Sequence, residues 1–315
     1  MSRQKLGQHF LSQISWRTRI AETLPVERDA VWLEIGAGHG EMTELLATRA
    51  RRVIAIETDA ALASALRERA AHWPANATGS AATTDHAVEI IHADVLSLDI
   101  AALVRSPTTN DLRQGTASAV PKRTIRTGAL APEAGPEASD PAHQLDSTGT
   151  RFRVYGNLPY YITSPILTHL FRFADHIDSI HIVTQLEVAQ RIAAHPRTRD
   201  YGYLSTLCQF YARPELVFRI PPAAFNPPPK VTSALIEMNL PGERATLGIR
   251  DEPSFLKFLQ LCFAHKRKTL RNNLRGTYAH DAVAKSLAAS ALTENSRAEE
   301  LTLHQFAQIF TSLAA

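Results

Sequence analysis

The feature that most constrains this chain is a series of short apolar runs, each ending in a residue of distinct chemistry. Val31, Trp32, Leu33, Glu34 and Ile35 lead into Gly36-Ala37-Gly38-His39-Gly40. Val53 to Ile56 ends at Glu57, Val88 to His92 is followed by Asp94, and Phe152 to Tyr155 runs on to Asn157. Ile180 to Val183 is a fifth run, and two more strands are expected around 215–220 and 231–239. Helical patterns lie between them. Met42, Leu45 and Leu46 share a face after the glycines, an Ala/Leu/Arg stretch covers roughly 60–72, and helices are expected near 185–194 and 202–211. Such alternation predicts an α/β fold, a mostly parallel sheet wrapped by helices. Ligands of these sheets sit beyond the carboxyl ends of the strands. Gly36, Glu57, Asp94 and Asn157 all fall at such ends, so one shared cleft is expected.

Composition narrows the class. A chain of 315 residues at 44% hydrophobic can bury one good-sized core and a smaller appendage. Beyond Pro241-Gly242 the pattern turns wholly helical, which divides the chain into an α/β domain at 1–242 and a helical domain at 243–315. Residues 106–150 contain no aromatic residue and are rich in Pro, Gly, Ser, Thr and Ala, so a disordered surface insertion is expected there. A smaller loop of this kind is expected over 74–87. Cys208 and Cys262 form no CxxC pair and no ligand cluster, so neither a metal site nor a disulfide framework is expected. Free thiols suit a reducing cytoplasm. No run approaches the ~18 apolar residues of a membrane span, and a soluble, cytoplasmic, monomeric protein is expected. The net charge of +3 permits a nucleic-acid partner without requiring one.

Glycines after a strand let the backbone approach a ligand and open a helix N-terminus. An acidic residue at the end of the next strand can grip both ribose hydroxyls, and Glu57 lies 21 residues after Gly36. Both NAD and S-adenosylmethionine fit that spacing. The sixth place of the glycine pattern separates them: a dinucleotide site wants Gly or Ala there, and this chain has Glu41. A carboxylate at the helix start also repels a pyrophosphate. S-adenosylmethionine carries a sulfonium cation and no phosphate, so acidic neighbours such as Glu34 and Glu41 are tolerable. The methyl donor is favoured. Asp94 is placed to accept from the adenine amine of that cofactor, or else to cap a helix near Val95–Leu103.

Asn157-Leu158-Pro159-Tyr160 lies directly beyond the fourth strand. Adenine N6 is a poor nucleophile because its lone pair is delocalised into the ring. A site helps by accepting both N–H hydrogens, which favours a pyramidal nitrogen. The Asn157 side-chain oxygen and the Leu158 carbonyl are candidate acceptors, Pro159 stiffens the turn, and Tyr160 offers a stacking face. The competing reading is a strand-to-helix turn with Asn157 as cap and Tyr160 as packing.

These motifs, with others, strongly resemble the KsgA/RsmA family of small-subunit ribosomal RNA adenine dimethyltransferases, almost from end to end. The resemblance is carried by Gly7-Gln8-His9-Phe10-Leu11, by Glu34 to Gly40, by Ile54 to Glu57 and by Gly156 to Pro165. Tyr201 to Ser205, Pro221 to Val231 and Lys266 to Leu274 extend it. It implies a Rossmann-like class I methyltransferase with a seven-stranded, mostly parallel sheet and a small C-terminal helical domain. It implies transfer of methyl groups from S-adenosylmethionine to two adjacent adenosines in a hairpin loop near the 3′ end of 16S rRNA, late in small-subunit assembly. By position in the motifs, His9, Leu11, Gly36, Gly38, Glu57, Asp94 and Asn157 would contact the cofactor, and the N-terminal segment would fold over it. The 106–150 insertion departs from the family pattern.

Flipped bases are held between flat groups, and Phe225, set among prolines, is a candidate second stacking face opposite Tyr160, or else a buried core residue. Arg267, Arg271 and Arg275 recur every four residues, so on one helix they would share a face, extended by Lys266 and Lys268. That face is either solvated or tracks RNA phosphates, with Lys230 and Arg213 as minor contributors. Three rivals stand beside the small-subunit enzyme. They are a large-subunit adenine methylase of the macrolide-resistance type, a nicotinamide oxidoreductase, which Glu41 opposes, and a non-catalytic RNA-binding assembly factor.

Overall fold

The protein is described by a computed structural model over residues 9–27, 29–73, 87–105, 151–159 and 161–314. The insertion expected at 106–150 lies outside the described residues, as does the loop expected over 74–87 save its last residue.

Seven strands form one sheet: β2 (Val31–Ile35), β3 (Arg52–Glu57), β4 (Ala87–His92), β5 (Phe152–Asn157), β6 (Ile177–Gln185), β7 (Arg213–Ile220) and β9 (Ser233–Asn239). Their order is β4-β3-β2-β5-β6-β9-β7. The first five run parallel, and β9 is antiparallel to both β6 and β7. From β2 the chain builds outward through β3 and β4, then returns to the other side of β2 to lay down β5 and β6. The reversal between β2 and β5 opens a crevice at their carboxyl ends, where such folds bind ligands. Two further strands, β1 (Phe10–Leu11) and β8 (Phe225–Asn226), pair antiparallel outside that sheet. At two residues each they are too short to leave a period in the sequence.

The central strand β2 is buried along its whole length because helices cover both faces. On one face Val31, Leu33 and Ile35 join Ile54, Ile56, Val154, Ile180 and Ile236 in an apolar layer. On the other, Trp32, Val53, Val183 and Leu235 meet helix α1 (Ile14–Thr23) and helix α2 (Glu41–Ala47). Asp59 accepts from the main chain of Ala61 and Leu62 and so starts helix α3 (Ala60–Ala70). The helix expected from Val95 to Leu103 is instead two pieces. Asp94 caps a single 3-10 turn at Val95–Ser97, and Asp99 accepts from Ala102 N to start helix α4 (Ile100–Arg105).

Helix α5 (Thr163–Phe171) follows β5, while α6 (Leu186–Ile192) and α7 (Tyr203–Tyr211) precede β7. The chain then ends in α8 (Arg244–Leu247), α9 (Glu252–Cys262), α10 (Leu270–Leu274), α11 (His280–Ala289) and α12 (Leu303–Ala314). These helices share a core with the sheet layer. Phe255 of α9 lies 5.4 Å from Phe210 of α7 and 5.3 Å from Phe310 of α12, ring centre to ring centre. Tyr211 stacks on Phe171 at 4.8 Å, and Arg244 reaches both Asp175 and Glu252. The boundary expected at 242/243 falls in the turn between β9 and α8, and apolar packing continues across it.

Candidate active site

Four strand tips meet at one cleft of about 770 Å³, counting its mouth. β2 brings Ile35, Gly36 and Gly38; β3 brings Ile56, Glu57 and Thr58; the segment after β4 brings Asp94 and Val95; β5 brings Asn157, Leu158 and Pro159. His9 and Phe10 close it from the N-terminal side, and Ile162 and Ile166 come from the start of α5. The mostly apolar walls with a few convergent polar groups suit a small-molecule cofactor.

Glu57 is the best-anchored acid in the cleft, only 4% exposed. Its Oε2 accepts from Gly38 N at 2.9 Å and its Oε1 from Asp59 N at 2.9 Å. The carboxylate therefore spans the tip of β3 and the glycine loop, and two main-chain donors compensate its burial. Gly38 has φ +58°, and a Cβ there would sit 3.0 Å from the Phe10 ring. The loop is thus shaped for contact with the N-terminal segment as well as with a ligand. Asp94 takes the capping role, Oδ1 accepting from Leu96 N at 3.0 Å, and the residue also lines the cleft.

Asn157 is the last residue of β5. Its backbone is set by pairing with Val183, and Leu158 N donates to Val183 O at 3.0 Å. A Cβ on Gly156 would come within 2.7 Å of Leu158 Cδ2 and 3.2 Å of the Ile35 carbonyl, so a side chain before Asn157 would crowd this turn. Ile162 N donates to Pro159 O at 3.1 Å and closes the turn into α5. Tyr160 lies outside the described residues.

Several expected residues stand elsewhere. Leu11 and Phe225 are not among the described residues lining the cleft. They face each other across the β1–β8 pair and are 7% and 4% exposed. The stacking post expected at Phe225 is a buried ring here, packed with Ile20, Leu24 and Trp32 in the second apolar layer. Glu34 also points away from the cleft. Strand alternation turns it to the α1/α2 face, beside Tyr155 on β5 and, one strand further, His181 on β6. Burial pushes its carboxyl up to about 8, opposed by the nearby Thr43 hydroxyl and with help from Glu41 and Glu57. It is therefore mostly neutral near pH 7 and contributes little negative potential to the loop. Burial likewise lowers the His181 imidazole to about 4, with Arg153 adding to the effect. Glu41 is the first residue of α2 and pairs with Arg17 of α1 at 3.5 Å.

The basic segment departs most from expectation. Arg267, Arg271 and Arg275 do not share a helix face, because the chain turns over 263–269 and only Leu270–Leu274 is helical. Asn273 Nδ2 donates to Cys262 O at 2.7 Å and His265 O at 3.2 Å, tying the turn down, and Thr269 caps the new helix. Lys266, Arg267, Lys268 and Arg275 are exposed, whereas Arg271 is engaged by Glu294 and His280. Lys266 donates to the carbonyl of Arg199 across a groove lined by Arg191, Tyr201 and Phe263.

Sequence reasoning missed the carbonyls that anchor the N-terminal segment, those of Ala223, Ala224 and Pro227. Main-chain acceptors carry no residue-type signal. Only the proline-rich composition of 221–229 hinted at a rigid partner.

Comparison with known proteins agrees with this geometry. The family described as Ribosomal RNA adenine dimethylase matches residues 1–315. A protein of Koribacter versatilis named Ribosomal RNA small subunit methyltransferase A is 38% identical over 98% of this chain and 93% of its own length. One of the same name from Acidobacterium capsulatum is 37% identical over 98% of this chain and 90% of its own. Among solved structures, a dimethyladenosine transferase from Plasmodium falciparum aligns over 96% of each chain with TM-score 0.67 at 18% identity. The 23S rRNA methyltransferase ErmE aligns over 97% of this chain and 100% of its own with TM-score 0.60 at 24% identity. These two likenesses concern the fold.

Proposed function

Since this chain belongs to the ribosomal RNA adenine dimethylase family, we propose that it methylates N6 of two adjacent adenosines in the 3′-terminal hairpin loop of 16S rRNA. S-adenosylmethionine is the donor and N6,N6-dimethyladenosine the product. The observation that carries this reading is the single cleft shared by Gly36, Glu57, Asp94 and Asn157.

The residues present fit the donor. Glu57, held by two main-chain N–H groups, suits a ribose diol, and Ile35, Ile56 and Val95 supply apolar walls for a nucleoside. Glu41 at the start of α2 disfavours a pyrophosphate there. When bound, S-adenosylmethionine supplies an electrophilic methyl group. Gly36, Gly38, His9 and Asp94 are assigned to holding it, while Leu11 backs the segment that carries His9 and Phe10. Asn157 Oδ1 and the Leu158 carbonyl are assigned as the two acceptors for the target amine, which raise the nucleophilicity of the nitrogen and aim it. Pro159 stiffens the turn and Tyr160 stacks on the base. Catalysis on this reading is positioning and electrostatics.

Lys266, Arg267, Lys268, Arg271 and Arg275 are assigned to the RNA backbone, from two sides of a turn. The substrate is 16S rRNA within the assembling small subunit, and the enzyme acts as a monomer in the cytoplasm. No described helix is long and apolar enough to cross a membrane. Mass spectrometry of small-subunit rRNA incubated with the protein and labelled cofactor tests the assignment. Label on two adjacent adenosines is expected; label confined to the large-subunit rRNA would overturn it.

A further inference from the structure

Residues 9–13 form a strap that ties together the glycine loop, the 223–227 loop and Asn157. Phe10 packs on Gly38 and its ring centre lies 4.6 Å from that of His39, so the strap touches the glycine loop. Ser12 N donates to Ala224 O at 2.9 Å, Gln13 N to the same carbonyl at 3.2 Å, and Gln13 Nε2 to Ala223 O at 2.9 Å. With the β1–β8 pairing and the 2.8 Å contact of His9 Nδ1 with Pro227 O, these seat the strap on the 223–227 loop. The third tie is to Asn157: its Nδ2 donates to the His9 carbonyl at 2.9 Å.

We propose that this strap is a positioning element for methyl transfer, one that fixes which end of the Asn157 amide faces the target amine. It rests on the reading that Asn157 Oδ1 accepts a hydrogen bond from that amine. A main-chain carbonyl only accepts, so the group facing His9 O must be the NH₂ of Asn157, whatever the rotamer. Oδ1 is thereby turned to the other side, and among the described residues it accepts no hydrogen bond. Without the His9 carbonyl, no other hydrogen bond of the Asn157 side chain among the described residues distinguishes the amide from its flipped form. The flipped form presents donors to a nitrogen that is itself a donor, and no productive contact follows. The β-sheet fixes the Asn157 backbone, and the strap fixes the amide plane. Seating of residues 9–13 on residues 223–227 is thus coupled to catalytic competence, beyond any role in covering the cofactor.

The anchors at Ser12 and Gln13 are exposed and do not line the cleft. Gln13→Ala removes one side-chain anchor, and Ser12→Pro removes a main-chain donor as well as a hydroxyl. Single-turnover rates are measured with each variant at saturating S-adenosylmethionine and saturating small-subunit particle. The expected result is a fall in rate of about tenfold for Ser12→Pro and a smaller fall for Gln13→Ala, since misplacement of a positioning contact lowers the chemical step. A strap that only holds cofactor would raise KM for S-adenosylmethionine and leave the saturated rate unchanged, and that result would overturn the proposal. Asn157→Ala in the same assay separates the two layers. If it keeps turnover, the reading of Asn157 as acceptor fails; if it loses turnover while the strap variants keep theirs, only the positioning role fails.

A measurement independent of activity uses Asn157→Asp, whose carboxylate cannot donate to His9 O and repels it. Hydrogen exchange at the Ser12 and Gln13 amides should then rise roughly tenfold, because coupling between strap and amide is reciprocal. Unchanged exchange there, in a protein that otherwise keeps its protection, would also overturn the proposal.

Discussion

The cleft and the basic segment after α9 present opposite relations between sequence and space. Gly36 and Asn157 are 121 positions apart, yet both line one cavity because β2 and β5 are adjacent and in register. Arg267 and Arg271 are four positions apart, yet one stands in an exposed turn and the other lies half-buried against Glu294. A parallel sheet aligns strand ends by backbone hydrogen bonds that any residue can make, so a chemical group at a run's end is delivered reliably. A helical stripe exists only if the helix does, and here Asn273 and Thr269 stop it from forming through 263–269.

That contrast can be broken most sharply at Asn157. Replacing it by Ala should lower turnover about 100- to 1,000-fold, the usual cost of losing one preorganised transition-state contact, with an unchanged far-ultraviolet spectrum. Turnover within tenfold of the parent would mean that the convergence of strand tips is not catalytic. Next in size is Glu57→Gln. Its carboxylate is assigned to a ribose diol and also holds Gly38 N, so calorimetry should show S-adenosylmethionine binding weakened by about 100-fold or less. An unaltered affinity would detach β3 from the cofactor.

A third change probes the wall behind the cleft. The Glu34 carboxyl titrates near 8 in the folded chain, against 4.5 ordinarily, chiefly through burial. Between those values the unfolded chain has released the proton and the folded chain has kept it, so stability falls as pH rises through that window. Glu34→Gln should remove that fall, on the order of 4 kcal/mol between pH 5 and pH 8.5. Parallel pH curves of the two proteins in denaturant titrations would show Glu34 already ionised in the fold. The smallest effect is expected in the basic segment. Arg267→Ala should flatten the salt dependence of RNA binding by about 0.7–0.9 in the log–log slope, as for one phosphate contact. Arg271→Ala should flatten it less, because Glu294 already occupies that guanidinium. Equal changes would restore a continuous basic face.

Most of the sheet was legible from its apolar runs, and the observed strand ends lie within a few residues of the expected ones. The helix at Val95–Leu103 was not, because Asp94 and Asp99 each cap a start within a few residues of the other, and one period cannot express two short pieces. Phe225 was ambiguous for a different reason. Prolines constrain a backbone equally well whether the ring between them is offered to solvent or buried, and only the docking of β1 over β8 decides that it is covered.

What the amino-acid sequence alone determined is the set of strand ends and the chemistry each carries, since burial patterns and the residues that interrupt them are local properties. What only the tertiary structure decided is the direction in which those groups are aimed. The tilt of the Asn157 amide, the neutral state of Glu34 and the dispersal of the arginines all depend on partners distant in the chain. Main-chain carbonyls and low-dielectric surroundings supply those partners, and neither is written in the identity of any single residue.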